Sequence, residues 1–512
     1  MKRTQIILQS VRSGIAELFL DSNNIAYARL KSSLITKGIL SGNNFKLVMG
    51  VRTAGFESYI WTVGRKKNLE TSQQLINQVV TQIELEAVAL GKRYELHLRS
   101  YKDKNVLWYD LGGWRAVKIT KDGWEVVPYP PPMFFPGTFV EDIEEREPER
   151  SLNEMDEANY LENFLGLWAI DYDEKILLKL YIIISLIPGF SHPILVLHGP
   201  YDSGKSTLLK YLKRIIDPTG AELLPPTLSQ DIFLHNLSCN YCICLDNLNY
   251  IPTWLADDLC CVCTGGYMIR RKLFTDNQSY RYSMQKIAML SCINFLTVRP
   301  DFLSRCIMLH LQPIIPANRL AEVAIENSFR KIQPKILGEI FTMLAKAFKI
   351  IDSQGQDNIL NKLNNKGSSS RLVDFALWAE VLAQTLGLPP EYISKILLEK
   401  AIATEMISIE NNPLVIALEA LLTVLFQKTG KSSITDMPAN IYNMLRSTAS
   451  QLKICTTVIA WPSDPGWLVR RLKELAPVLA RINIFIQHTR TPNARLLTIY
   501  KKEKESFETQ KK

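Results

Sequence analysis

The stretch ILVLHGPYDSGKSTLLKYLK, Ile194–Lys213, decides the reading of this 512-residue chain. Its first residues, Ile194-Leu195-Val196-Leu197, form a short unbroken apolar run of the kind that becomes a strand buried on both faces. Gly199-Pro200-Tyr201-Asp202-Ser203-Gly204-Lys205-Ser206 follows and satisfies the spacing G-x-x-x-x-G-K-[ST] in full. From Thr207 onward the apolar residues recur at helical spacing. Strand, glycine-rich loop and helix, in that order, are the context this spacing needs. Glycines let backbone N–H groups turn in around phosphate oxygens, and a helix N-terminus adds partial positive charge. Lys205 has the length to reach β- and γ-phosphates, and the Ser206 hydroxyl is suited to hold Mg²⁺. A chance glycine-rich turn is the alternative, and the matched context weighs against it. Residues Gly199 to Thr207 are expected to bind a nucleoside triphosphate, with ATP and Mg²⁺ as the cofactors.

Working outward, 512 residues suggest about three domains. A hydrophobic content of 47% supports real cores and excludes a disordered chain. The net charge of +9 permits nucleic-acid binding without demanding it. The N-terminal MKRTQIILQSVRSG has too short an apolar run for a signal peptide. Ile176 to Leu197 is apolar enough to suggest a membrane span, but Lys179, Pro188-Gly189 and Pro193 interrupt it and the phosphate loop follows at once. A buried helix, a turn and a buried strand explain it better. No membrane association and a cytoplasmic location are expected.

Nine cysteines are present. Cys239-x-x-Cys242 and Cys260-x-x-Cys263 have zinc-ribbon-like spacing. Against that, Cys242 and Cys244 lie in the apolar run Tyr241 to Leu245, and Cys260, Cys261 and Cys263 fall on an expected helix. Buried structural thiols are favoured over a metal site.

Residues 1–127 read as a mixed α/β domain of unassigned role. Gln73 to Leu90 has helical periodicity, while Val106 to Leu111, Arg115 to Thr120 and Trp124 to Val127 form a meander of short strands turned at Gly112-Gly113 and Asp122-Gly123. A Pro-rich and acidic linker is expected over 128–158. Between Gly137 and Ala158 it holds nine Asp/Glu against two Arg, a net of −7, and reads as solvated chain. The nucleotide-binding domain is expected over 159–315, a helical lid region over 316–411, a C-terminal domain over 412–502 and a charged tail over 503–512.

A phosphate loop needs an acid on a neighbouring strand to order its metal. Tyr241-Cys242-Ile243-Cys244-Leu245-Asp246 supplies one, so Ser206 and Asp246 are the expected metal ligands. The next residue is Asn247, which can orient water but cannot accept its proton. Slow hydrolysis, or another acid such as Asp257 or Asp258, would follow.

Several motifs then accumulate: Leu245-Asp246-Asn247-Leu248, Pro252-x-Trp254-Leu255-x-Asp257, Thr264-Gly265-Gly266, Arg271-x-Leu273-Phe274-Thr275-Asp276 and Arg299-Pro300-Asp301-x-x-x-Arg305. With the phosphate loop, this order resembles the AAA+ superfamily 3 helicases, and most of all the ATPase proteins of phages, plasmids and integrated elements often described as primase-helicases. The resemblance covers most of the chain and is strongest over about 160–315. It implies a catalytic set of Lys205, Asp246, Asn247 and Arg305, with Arg305 as an arginine finger acting on a neighbour's nucleotide and Arg299 as runner-up. It implies a γ-phosphate sensor at Ser291 or Asn294, and a second sensor at Arg371. It also implies that Arg270, Arg271 and Lys272 belong to a hairpin facing DNA in a ring channel; taken alone they would be an ordinary solvated face.

At the C-terminus, Trp467 to Leu479 reads as a helix with Trp467, Leu468, Leu472, Leu475 and Leu479 on one apolar side. Ile482 to Ile486 and Arg495 to Tyr500 read as two strands. A helix followed by a hairpin is the outline of a winged helix. Asp464 to Lys512 holds eleven Lys/Arg and five Asp/Glu, a net of +6. Arg470, Arg471, Arg490 and Arg495 are therefore expected to contact DNA phosphates, with protein contact as the alternative.

The expected fold is α/β and multidomain: a central P-loop AAA+ α/β sandwich with a helical lid, an α/β N-terminal domain and a C-terminal winged helix. The expected function is an ATP-dependent DNA helicase or translocase in mobile-element replication. Its expected partners are DNA, single-stranded or forked, further copies of itself in a homo-hexamer, and a primase or polymerase. The rival expectation is an ATP-gated DNA-binding scaffold or helicase loader without motor activity. A small-molecule kinase would have no use for the basic hairpin and the wing.

Overall fold

The computed structural model describes residues 2–36, 48–112, 115–128, 130–131, 133–134, 148–149, 159–219, 222–225, 229–271, 279–293, 299–364, 372–410, 412–454, 456, 461–490 and 495–502. The chain divides into two compact units, residues 1–294 with 305–398, and residues 295–304 with 399–512.

The first unit begins with α1 (Lys2–Gly14), β1 (Ile15–Leu20), β2 (Ala26–Leu30), α2 (Ser33–Thr36), β3 (Val48–Gly50), α3 (Ala54–Lys66), α4 (Gln73–Leu90) and β4 (Lys92–Arg93). The strands form one sheet in the order β3-β2-β1-β4, with β1 antiparallel to β2 and parallel to β4. Helix α4 has the expected bounds. Ser72 caps it by accepting Leu75 N–H, and it buries Ile76, Val79, Val80, Ile83 and Ala87, a single stripe at helical spacing. That stripe closes a small core with Ile7, Val11, Phe56, Tyr59 and Ile60.

Next come β5 (Ser100–Asp103), β6 (Val106–Gly112), β7 (Arg115–Thr120) and β8 (Gly123–Pro128), an antiparallel meander. Three of its strands coincide with the sequence reading. The expected domain boundary after residue 127 does not. The buried face of the meander, with Leu107, Tyr109, Leu111, Val117, Ile119 and Trp124, belongs to the same core as the parallel sheet and the helices around the glycine-rich loop. A four-stranded sheet cannot bury a face against itself, so it takes its cover from elsewhere. The proline run marks where the chain leaves the sheet, and the core continues past it.

The rest of this unit comprises α5 (Tyr160–Leu165), α6 (Tyr172–Ile184), β9 (Ile194–His198), α7 (Lys205–Ile216), α8 (Gln230–Cys239), β10 (Cys242–Leu248), α9 (Thr253–Thr264), β11 (Tyr267–Arg271), β12 (Ser279–Ser283) and β13 (Ile287–Cys292). After α10 (Pro300–Leu303), which groups with the second unit, come β14 (Cys306–His310), α11 (Glu322–Gln354), α12 (Gln356–Asn364) and α13 (Val373–Thr385). Strands β10-β13-β9-β14 form a parallel sheet in that order. An isolated parallel bridge between Leu224 and Leu245 extends it beyond β10. Every residue of β13 is buried, as is β9 up to Leu197, which is how a parallel sheet covered on both faces must read. Helix α6 is buried from Ile176 to Ile184, so the apolar run ahead of the loop is a core helix and a core strand. No described helix is long and apolar enough to cross a membrane. Helix α11 covers the meander, with Phe341 against Tyr109 at 5.4 Å and Trp124 at 5.8 Å, ring centre to ring centre. Cys242, Cys244 and Cys263 are in the core and Cys261 is exposed. Among the described residues no group of three or more His, Cys, Asp or Glu is arranged to hold a metal ion.

Following α14 (Tyr392–Glu410), the second unit has α15 (Pro413–Thr429), β15 (Ser433–Asp436), α16 (Pro438–Gln451), α17 (Pro465–Arg481), β16 (Ile484–Arg490) and β17 (Arg495–Lys501). Its antiparallel sheet has the order β15-β17-β16. Leu468, Leu472, Leu475 and Leu479 of α17 pack with Ile484, Leu497 and Ile499 of the sheet and with Leu418 and Leu445 of the other two helices. The edge strand β15 is an addition to the expected hairpin; its four residues are too few to carry a clear alternation.

Candidate functional site

The glycine-rich loop is shaped by backbone conformations that side chains oppose. Gly199 has φ 150°, and a Cβ there would sit 2.2 Å from the carbonyl oxygen of Leu311. Gly204 is left-handed at φ 73° and immediately precedes α7. A Cβ on it would come 2.8 Å from Trp168 Nε1, which donates to the Gly204 carbonyl at 3.0 Å. Between them Asp202 is also left-handed, at φ 64°, and its carbonyl accepts Ile314 N–H at 3.1 Å. Its carboxylate pairs with Arg319 at 2.9 Å. Pro200 and Tyr201 are exposed on the lip of the loop. Ser203 is buried and donates to the Pro200 carbonyl at 2.9 Å.

Lys205 opens α7 and is largely buried. Its ammonium donates to Gly199 O at 2.9 Å, Pro200 O at 2.6 Å and Ser203 Oγ at 3.0 Å. Burial lowers its pKa, against the opposing pull of Cys292 and Asp246. Ser206 and Thr207 occupy the first turn of the same helix. A buried ammonium, a glycine-built loop and the start of a 12-residue helix converge at one point, which is the donor set that a polyphosphate fits.

The acid comes from β10. The order β10-β13-β9 means that the acidic strand and the loop strand are not neighbours; β13 lies between them. Ser206 Oγ nevertheless donates to Asp246 Oδ1 at 2.8 Å, so the two expected metal ligands are brought together. The same carboxylate oxygen accepts the hydroxyl of Ser291 from the intervening strand. Asn247 is left-handed at φ 56°, where the β10–β13 register shifts between Leu245 and Leu248. Its N–H donates to Ser291 Oγ at 2.9 Å. Asparagine is among the few side chains that adopt this backbone readily. Its side chain is exposed. Asp258 is buried and accepts from Gln230 Nε2 at 3.0 Å, and burial raises its pKa.

The remaining expected residues are dispersed. Asn294, Arg371 and Lys272 lie outside the described residues. Arg270 and Arg271 are on β11, which pairs with β12 as a two-stranded ribbon. That ribbon carries a feature with no signal in the sequence: Arg281 stacks on Tyr267 at 3.5 Å, and its N–H donates to Asn23 Oδ1 at 2.9 Å. Arg299 holds Asp301 in a two-point pair, Nε to Oδ1 at 3.1 Å and Nη2 to Oδ2 at 2.7 Å, which keeps the Asp301 pKa low. Arg305 precedes β14, and its carbonyl accepts Ile194 N–H at 2.8 Å. It therefore lies at the start of the strands, whereas the glycine-rich loop leaves from their far end.

In the second unit, Arg490 and Arg495 are paired across the mouth of the β16–β17 hairpin. Arg471 pairs with Glu474 at 2.8 Å. Trp467 is not on the buried side of α17 as expected; it is 49% exposed, with Arg470 over its ring at 5.6 Å. It stands about 100° round the helix from Leu468, at the rim of the apolar stripe, and periodicity does not say which way a rim residue falls.

Two family models match this chain. Residues 162–361 match the actinomycete integrative conjugative element replication protein family, and residues 417–510 match the C-terminal domain of that RepA family. Over these two segments the chain is similar to replication proteins of such elements. None of the curated proteins matches it. Among solved structures, the A-form apo structure of the NrS-1 C-terminal region aligns over 98% of this chain and 98% of its own, at 10% identity and a TM-score of 0.42. A further apo structure of that region covers 98% and 100%, at 10% identity and a TM-score of 0.39. JCV helicase, bound to a thiazolopyridine acetamide compound, covers 48% and 65%, at 13% identity and a TM-score of 0.25.

Proposed function

We propose that this chain is an ATP-dependent DNA helicase or translocase of the AAA+ superfamily 3 type, acting in the replication of an integrative mobile element as a ring, a homo-hexamer. The observation that carries the reading is the meeting of Ser206 and Asp246 at 2.8 Å beside the loop holding Lys205. A hydroxyl and a carboxylate at that separation can share one Mg²⁺. The match to mobile-element replication proteins over residues 162–361 and 417–510 supports the biological setting.

ATP with Mg²⁺ would supply the transferable phosphoryl group and the metal charge. Gly199 to Thr207 would cradle the phosphates, Lys205 would neutralise their charge, and Ser206 and Asp246 would hold the metal. Asn247, with its exposed side chain, would orient water. Arg305 is separated from its own loop by the length of β14, roughly 16 Å at strand spacing. A nucleotide that it touches would therefore be a neighbour's, which supports a ring with shared sites. Arg270 and Arg271 on the β11–β12 ribbon, with Lys272 next in sequence, would contact DNA in the channel. The second unit would act as a winged helix holding DNA through Arg470, Arg471, Arg490 and Arg495.

A second reading, an ATP-gated DNA scaffold or loader, is favoured by one observation: the residue after Asp246 is Asn247, which cannot take a proton from water. ATP hydrolysis stimulated by single-stranded DNA, measured together with strand displacement on a forked duplex, separates the two. Hydrolysis without displacement selects the scaffold.

A further inference from the structure

We propose, building on the nucleotide site above, that Ser291 is a positioning residue: it fixes the Asp246 carboxylate and the Asn247 backbone together and makes no contact with phosphate. Ser291 is 1% exposed and sits in β13, the strand between the loop strand and the acidic strand. A serine hydroxyl has one hydrogen to donate. Here that hydrogen is committed to Asp246 Oδ1, and the oxygen accepts Asn247 N–H at 2.9 Å. Phosphate oxygens only accept, so a residue that senses phosphate directly has to donate, and Ser291 could do so only by giving up the bond that holds Asp246.

Its two bonds have a combined consequence. The first holds the carboxylate in the rotamer that meets Ser206 Oγ at 2.8 Å. The second holds the left-handed turn at Asn247, where the strand register shifts and the residue is exposed. One buried hydroxyl thus sets the metal-holding oxygen and the water-facing amide at once. Groups that orient a metal ligand in this way are worth about tenfold to a hundredfold in metal affinity or rate.

The experiment compares Ser291→Ala and Ser291→Thr with the unmodified full-length chain. The readout is the Mg²⁺ concentration needed for half-maximal binding of a fluorescent ATP analogue, with binding in EDTA and the thermal midpoint alongside. Ser291→Ala is expected to need about tenfold to a hundredfold more Mg²⁺ while its Mg²⁺-free binding stays within about twofold, and Ser291→Thr, which keeps the hydroxyl, is expected to recover most of the loss. An unchanged Mg²⁺ requirement with a lost hydrolytic rate marks a phosphate contact and overturns the proposal. So does an equal loss of Mg²⁺-free binding. If the unmodified chain binds nucleotide without hydrolysing it, the motor reading fails while the Mg²⁺ comparison still decides the role of Ser291. A chain that binds no nucleotide at any Mg²⁺ concentration overturns both.

Discussion

The hydroxyl of Ser206 meets Oδ1 of Asp246 at 2.8 Å across 40 residues of sequence and an intervening strand. The helix that begins at Lys205 carries one partner and β10 carries the other. Lys205→Ala should weaken ATP binding by about tenfold to a hundredfold, the worth of charged hydrogen bonds at ~1.5–3 kcal/mol, and should abolish hydrolysis. Asp246→Asn keeps the shape and a polar oxygen, so hydrolysis should fall much further than binding. Isothermal titration with ATP beside a phosphate-release assay checks both. Normal turnover in the Lys205 variant removes the ATPase assignment.

Arg305 lies at the strand end opposite its own loop, and this makes a prediction about mixtures. Arg305→Ala should still bind ATP and lose on the order of a thousandfold in rate. Mixed with the Lys205→Ala chain, it should recover part of the activity, because one kind of interface then has both an intact loop and an intact finger. Absence of recovery at every ratio, with assembly verified by sedimentation, argues against a shared site.

Arg99 and Asp217 form an ion pair at 3.1 Å, 118 residues apart in sequence, with side chains only 1% and 2% exposed. Lys213 joins them at 2.6 Å from the other carboxylate oxygen, which also accepts Tyr241 and Cys242 N–H. This one carboxylate links the meander edge, the end of α7 and the start of β10. Asp217→Asn would strand two buried cations and should cost about 3–5 kcal/mol in urea unfolding. Burial alone would raise the Asp217 pKa, but Lys213, Arg99 and the backbone donors bring it down to about 2, from an ordinary 3.8. A lowered carboxylate pKa adds stability that is fully present above the unfolded value and is lost as pH falls through the folded one. The unfolding free energy should therefore decline from about pH 4 toward pH 2, and the Asp217→Asn chain should lack that part of the decline.

The two basic elements should fail differently toward DNA. Reversing the charge of Arg470, Arg471, Arg490 and Arg495 should weaken binding to all sequences, with basal ATP hydrolysis unchanged. The log–log salt slope should fall by about 0.9 for each phosphate that these side chains no longer neutralise. Replacing Arg270, Arg271 and Lys272 should leave some binding and uncouple hydrolysis from unwinding. A salt titration of affinity beside an unwinding assay reads both. Normal unwinding by the central variant would shift the assignment to the scaffold reading.

What the sequence determined by itself was whatever depends on neighbours along the chain. The loop from Gly199 to Ser206 is fixed by covalent spacing, and its glycines stand at φ 150° and φ 73°, where a Cβ is disfavoured and would also run into Leu311 O or Trp168 Nε1. Helix α4 and the strands of the meander follow from a period of 3.6 or 2, which is a local property. Asp246 is legible because it ends an apolar run. Tertiary structure alone decided the partners. The meander reads as part of a separate domain because its alternation shows that one face is buried without showing against what; the answer is α11 and the core around the parallel sheet. Trp467 shares the helical period of Leu468 and Leu472 but lies on the rim, where its exposure depends on how far the neighbouring elements reach. Ser291 has a sensor's place at a strand end, yet the sheet order puts its hydroxyl between Asp246 and Asn247. Arg99 carries no local signal at all. A buried ion pair is set by two positions that meet only when the chain has folded, since the desolvation cost of each charge is recovered only in the presence of the other.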